Sequence, residues 1–352
     1  MIMEKTVAYA GARIPLVQND KIKICGRHTE IDGCLAFDWT NSGVSFVFNG
    51  RGFILTLGAL EHTDTEHQPA YIRVTVDGTK KQRFAVATGE EKIIIEGLPD
   101  KRHRVEILRL TEGIDPILFK DIALLGENAE LRNPPLSVPR KIEFIGDSIT
   151  CGYGVLGTTA DPGFSTFQQD GAYSYAAQCA DMLSAEARYI CVSGKGIVCN
   201  CLGDRSDVKG GEFYEYLTRK GGVCKDGWTP DVVVINLGTN DSGMPAPHEE
   251  FASAAKDLIN KVRARYENAH IIWLYGLMSQ YYADTLRETL REVSAKDEKV
   301  HFLFVDTMFG NPTETGANGH PNVRANYRTA EKLFKKIRSV TGWRNAVKIP
   351  EE

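Results

Sequence analysis

The hydrophobic period of this chain changes once, at a proline-rich break, and that change excludes any single sheet or helical bundle running from end to end. Asn133-Pro134-Pro135-Leu136-Ser137-Val138-Pro139 places three prolines in seven positions, which suits neither a helix nor a central strand. Before it, from about Lys21 to Leu125, apolar residues alternate with period two: Val44, Phe46 and Phe48, then Ile72, Val74 and Val76, then Val105 and Ile107. Such strands bury one face. Asn49-Gly50 and Asp77-Gly78 separate successive runs and suit tight hairpins. No helical period longer than two turns occurs there, so the reading is an antiparallel β-sandwich, jelly-roll-like.

After the break the pattern becomes near-continuous apolar strands between amphipathic helices: IEFIG, SYAAQCADML, ARYICVS, DVVVINLG, a helix from about Glu249 to Tyr266, and HIIWLYGL. A helix around Thr285 to Ser294, VHFLFVD, and a last helix from Pro321 to about Ser339 follow. Alternation of this kind predicts an α/β domain with a central parallel sheet covered on both faces. The expected organisation is therefore a β-sandwich accessory domain over residues 1–133, a proline-rich linker over 134–140, and an α/β catalytic domain over 141–345.

At 352 residues the chain is long enough for two packed cores. A formal charge of −4 and the lack of a Lys/Arg-rich run argue against nucleic acid and anionic membrane as partners. No segment reaches membrane-span length, and MIMEKTVAYAGARIPLVQND lacks the uninterrupted apolar stretch of a signal peptide, so the expectation is a cytoplasmic protein. The eight cysteines form no C-x-x-C pair, and reduced thiols are expected. Cys199 and Cys201 lack further ligands at finger-like spacing, and the cluster His62-Thr63-Asp64-Thr65-Glu66-His67, which offers calcium or transition-metal donor types, reads as a solvated loop because such groups on loops seldom converge without help, so no metal is expected.

In open α/β sheets reactive residues gather beyond the carboxyl ends of the strands. The first strand of the second half ends in Gly146-Asp147-Ser148, the second in Ser193-Gly194-Lys195-Gly196, the third in Gly238-Thr239-Asn240-Asp241, and Gly319-His320-Pro321 follows the fifth. Acyl transfer needs a nucleophile, a base for its proton and donors aimed at a developing oxyanion. Ser148 supplies the hydroxyl, His320 the base, and Asn240 and the Gly194 N–H the donors. Asp147 and Asp241 flank them and read as groups that hold the loops through backbone N–H bonds. Gly152-Tyr153-Gly154-Val155-Leu156-Gly157 matches G-x-G-x-x-G formally, but it lies seven residues beyond its strand and no acidic residue ends the next one. A dinucleotide site is therefore rejected.

The blocks GDS, SGKG, GTND and GHP resemble the four sequence blocks of the SGNH (GDSL-like) hydrolases. A β-sandwich of about a hundred residues leading into IEFIGDSITCGYG is more closely similar to carbohydrate esterase family 2, whose members remove acetyl groups from sugars and polysaccharides. The resemblance covers nearly the whole chain. It implies Ser148 as nucleophile and first oxyanion N–H, Gly194 and Asn240 as further donors, His320 as base, and no metal or organic cofactor. One departure matters: SGNH enzymes usually carry an aspartate three residues before the histidine, and this chain has Ala317. The expectation is a Ser–His dyad whose imidazole is oriented by the backbone carbonyl of Ala317, Asn318 or Gly319, with Glu314 and Asp306 as carboxylate rivals.

The expected activity is carbohydrate O-acetyl esterase, releasing acetate from substrates such as manno- or xylo-oligosaccharides. An SGNH esterase or thioesterase acting on another short acyl ester is the alternative, and a non-catalytic carbohydrate-binding protein a third. Tyr153, Phe164, Phe167, Tyr281 and Tyr282 lie in loops that could bring aromatic faces to sugar rings, with Tyr153 and Tyr281 the chosen substrate contacts. Oligomeric state is not legible.

Overall fold

A computed structural model describes residues 11–60, 69–113, 115–161, 163 and 165–344. The cluster at 62–67 and Phe164 lie outside the described residues. Among the described residues twelve strands build the first half: β1 (Ile14–Pro15), β2 (Ile22–Cys25), β3 (Thr29–Ile31), β4 (Cys34–Phe37), β5 (Gly43–Gly50) and β6 (Gly52–Ala59), then β7 (Ala70–Val76), β8 (Lys80–Val86), β9 (Gly89–Ile95), β10 (Lys101–Arg109), β11 (Ile117–Leu125) and β12 (Glu130–Leu131). They form two antiparallel sheets, one ordered β3-β4-β11-β6-β9 with β1 on β11, the other β12-β5-β10-β7-β8 with β2 on β5. The alternating residues face each other: Phe46, Phe48, Ile72 and Val105 meet Phe53, Leu55 and Phe119 in one core.

Asp77-Gly78 makes the expected hairpin, with both residues at positive φ and Val76 paired to Lys80. Asn49-Gly50 does not. β5 pairs with β10 and β6 with β11, so the chain crosses from one sheet to the other at Arg51. Packing is the reason: crossing lets the buried faces of both strands oppose one another, with Phe46 and Phe53 rings edge to face at 5.4 Å.

The second half carries a five-stranded parallel sheet of β13 (Lys141–Gly146), β14 (Glu186–Cys191), β17 (Val232–Asn236), β18 (His270–Tyr275) and β19 (Val300–Phe304), in the order β14-β13-β17-β18-β19. Helices α1 (Ser148–Cys151), α2 (Tyr175–Leu183), α3 (Gly210–Phe213), α4 (His248–Arg265), α5 (Ala283–Ser294) and α6 (Val323–Thr341) accompany it, and separate cores lie on its two faces. The Ser174 side chain caps α2 through the Ala177 N–H, and Asn322 caps α6 through Arg324 and Ala325. A hairpin of β15 (Tyr216–Thr218) and β16 (Gly221–Val223) stands between β14 and β17. Sequence pattern gives no sign of it, since each strand is only three residues long. The strand order reverses between β13 and β17, opening a crevice at the carboxyl ends of these strands. Among the described residues no helix is long and apolar enough to cross a membrane.

The last sandwich strand ends at Leu131 and the parallel sheet begins at Lys141, but the two halves interlock. Arg27 of the sandwich meets Glu143 of β13 at 3.1 Å, both side chains fully buried, and donates to Tyr214 O at 2.7 Å. Trp39 joins the second domain's core and gives its indole N–H to Leu217 O at 2.9 Å. Arg83 on β8 donates to the carbonyls of Thr166, Phe167 and Gln169, which anchors the loop before α2 to the sandwich.

Candidate active site

β13 delivers Ser148. The strand ends at Gly146, where a Cβ would lie 2.0 Å from Thr150 Oγ1, so only glycine lets the chain turn this tightly into α1. Asp147 caps that turn by accepting the Ile149 N–H at 3.0 Å, and Ser148 is the first helical residue, 6% exposed. Burial pushes the Asp147 carboxyl up to about 7; the Ile149 N–H opposes this, and the charges of Asp241 and Glu112 add to it.

His320 reaches Ser148 from the opposite wall, with Nε2 2.9 Å from Oγ. Its Nδ1 lies 3.0 Å from Asn318 O. A carbonyl only accepts, so Nδ1 carries the proton and the Nε2 lone pair faces the serine hydroxyl, as a general base requires. The carbonyl is presented by a short turn over Ala317–Gly319 in which Asn318 sits at φ 48° and Gly319 at φ 68°. Ala317 O instead accepts the His320 backbone N–H, and the Ala317 N–H donates to Gly154 O. Gly154 has no room for a side chain, because a Cβ there would lie 2.5 Å from Ala317 O. The loop after α1 therefore locks the histidine turn in place. Tyr153 completes the contact: its ring centroid is 4.4 Å from the imidazole, and its hydroxyl accepts from Asn318 Nδ2 at 3.4 Å.

Neither carboxylate rival faces the imidazole. Glu314 forms a bidentate pair with Arg328 at 2.8 and 2.7 Å, and Asp306 pairs with Lys332. Burial lowers His320 below the ordinary imidazole value; the bond to Asn318 O and the charge of Glu112 work the other way. The neutral base is thus favoured near pH 7.

The remaining candidates are linked by hydrogen bonds. Asn240 Nδ2 donates to Lys195 O at 2.9 Å and to Asp147 Oδ2 at 3.3 Å, which ties the segment after β17 to the loop after β14 and to the residue before Ser148. Gly194 sits in that loop at φ 77°, left-handed backbone suited to glycine. Asp241 accepts the backbone N–H groups of Ile197, Val198 and Cys199, so its carboxylate fixes the path of the loop. Burial still raises its pKa against those bonds. A Cβ at Gly196 would lie 2.4 Å from Asp241 Oδ2, which explains the second glycine of SGKG. Tyr281 is exposed and stacked on His248 at 5.1 Å, and Tyr282 is buried against Phe251. Phe167 is exposed beneath Arg83. Among the described residues no three His, Cys, Asp or Glu side chains are grouped to hold a metal ion.

One residue near the site escapes sequence reasoning. Glu112, in the loop between β10 and β11, is fully buried and accepts from the Ser193 N–H at 2.9 Å, the Ser193 hydroxyl, Arg219 Nη1 at 3.0 Å and Gln169 Nε2 at 3.5 Å. These partners lie 57 to 107 residues away in sequence, so no local pattern marks it.

A model of the GDSL-like lipase/acylhydrolase family matches residues 144–328, and a model of the carbohydrate esterase 2 N-terminal domain matches residues 24–135. The cellulase/esterase CelE of Acetivibrio thermocellus is 32% identical over 321 residues; the match takes in 87% of this chain but only 38% of that protein's length. An acetylxylan esterase / glucomannan deacetylase of Cellvibrio japonicus is 20% identical over 332 residues, 92% of this chain and 89% of the relative. Among solved structures, a family two carbohydrate esterase from Clostridium thermocellum in complex with cellohexaose superposes with a TM-score of 0.85 at 30% identity, covering 92% of this chain and all of that one.

Proposed function

This chain belongs to the GDSL-like lipase/acylhydrolase family, in its carbohydrate esterase 2 branch, and from that membership we propose that it is a carbohydrate O-acetyl esterase working through a serine–histidine acyl-enzyme mechanism. The observation that carries the reading is the 2.9 Å contact between Ser148 Oγ and His320 Nε2, with Nδ1 held by Asn318 O. In the proposed reaction His320 takes the hydroxyl proton as Ser148 attacks the ester carbonyl. The tetrahedral oxyanion is received by the N–H groups of Ser148 and Gly194 and by Asn240 Nδ2, whose longer bond to Asp147 is the one it gives up. The imidazolium then protonates the departing sugar hydroxyl, and water, activated by the same histidine, releases acetate. The Asn318 carbonyl stabilises the imidazolium through Nδ1–H in place of a carboxylate.

A family relative caught with cellohexaose supports a saccharide as the alcohol part, and relatives named acetylxylan esterase / glucomannan deacetylase support acetate as the acyl part. The test gives the purified chain and Ser148→Ala acetylated manno-, xylo- and cello-oligosaccharides and times acetate release. Release lost in the variant is expected, and equal release by the two proteins would overturn the mechanism. Binding without release by the wild type would identify a carbohydrate-binding protein, and turnover confined to unrelated short esters would identify another acyl hydrolase.

A further inference from the structure

We infer that Glu112, supplied by the β-sandwich domain, is a positioning residue that holds the Gly194 N–H of the second domain in its oxyanion-binding orientation. The inference rests on the serine–histidine esterase reading.

A backbone N–H direction is set by the peptide plane it belongs to, and the Gly194 N–H belongs to the Ser193–Gly194 peptide. Glu112 grips the residue before that plane twice, through the Ser193 N–H at 2.9 Å and the Ser193 hydroxyl. Two bonds from one carboxylate fix both the backbone and the side chain of Ser193, leaving the following peptide little freedom. On the far side of Gly194 its own carbonyl accepts the Cys201 N–H at 2.7 Å, and Asp241 holds Ile197 to Cys199. Glu112 thus closes the upstream end of a loop whose downstream end is closed from β17.

The carboxylate is itself held rigidly. Arg219, on the turn between β15 and β16, pairs with it at 3.0 Å with both side chains at least nine-tenths buried, and Gln169 joins it to Cys151 O at the end of the nucleophile helix. The loop bearing Glu112 is clamped by the buried Arg109, which donates to Thr111 O on one side and Asp115 O on the other. Gly113 has no space for a Cβ, which would lie 2.0 Å from that guanidinium. A fully desolvated charge with four donors arranged round it is costly to assemble, and these donors come from three separate segments around Ser148. Misplacing an oxyanion donor by a fraction of an ångström weakens the transition state more than the ground state.

The test compares Glu112→Gln and Ser193→Ala with the wild type in the full chain, reading kcat and KM on p-nitrophenyl acetate beside the thermal midpoint of each protein. Glu112→Gln keeps the size of the side chain and is expected to lower kcat about 10- to 100-fold with KM within about twofold, because an oriented donor acts on the transition state. Ser193→Ala removes one of the two bonds to Ser193 and is expected to lower kcat about 3- to 10-fold at an unchanged midpoint. A folded Glu112→Gln with kcat within about twofold of wild type, or a loss appearing in KM alone, overturns the inference. Should Glu112→Gln fail to fold, Ser193→Ala decides, and an unchanged kcat overturns it. Ser148→Ala is assayed in parallel: activity surviving there overturns the esterase reading itself, whatever the Glu112 variant does.

Discussion

A histidine that leans on a carbonyl instead of a carboxylate is the main departure at the scale of single residues, and it has measurable consequences. In the proposed mechanism neutral His320 is the base, and burial lowers its pKa, so activity is expected to be gained as pH rises through a value below the free imidazole's ~6.5. The acid limb of kcat/KM is expected to have its midpoint below that value; a limb near 7 would instead report the buried Asp147. Glu314→Ala is expected to leave kcat within about threefold, since its carboxylate binds Arg328 and not the imidazole, whereas loss of a true triad carboxylate costs about 10⁴. Steady-state kinetics on the folded variant checks this. The serine and histidine that the structure brings to 2.9 Å, and the absence of the usual aspartate, were legible in four short blocks, because particular residue types at strand ends carry that signal. Which carbonyl would orient the histidine was not, because Ala317, Asn318 and Gly319 differ only in the turn they adopt.

At the scale of elements, the parallel sheet and its longer helices were readable from hydrophobic period, and Asp77-Gly78 made a true hairpin. The path at Asn49-Gly50 was not readable, because a two-residue turn signal says nothing about which sheet the next strand joins. Packing of Phe46 and Phe48 against Phe53 decides that. The downstream part of the loop after β14 depends on one carboxylate from another element. Asp241→Ala would leave the N–H groups of Ile197, Val198 and Cys199 without their acceptor, and is expected to cost about 3 kcal/mol of stability together with most of kcat. Urea unfolding and ester turnover on the same preparation check both halves of that expectation.

On the scale of the whole molecule, the proline-rich break suggests two units joined by a tether, and the structure shows two units that complete one another. Arg27 and Glu143 pair with neither side chain exposed, so Arg27→Met strands a buried carboxylate and is expected to destabilise the chain by about 3–5 kcal/mol. The wild type is expected to unfold in a single calorimetric transition, and two separated transitions would count against this coupling. Contacts between the halves were invisible in sequence because they join residues 57 to 189 positions apart, where no periodicity reaches. That distance is also a delay. Chains are synthesised at ~5–20 residues per second, so Glu112 is added on the order of 5 to 20 seconds before Arg219, 107 residues later. Arg27 waits comparably long for Glu143, 116 residues on. Until Arg219 and Leu217 are added, the sandwich sequence carries Glu112 without its arginine and Trp39 without the carbonyl that accepts its indole N–H, and its final state is reached only when the other half arrives.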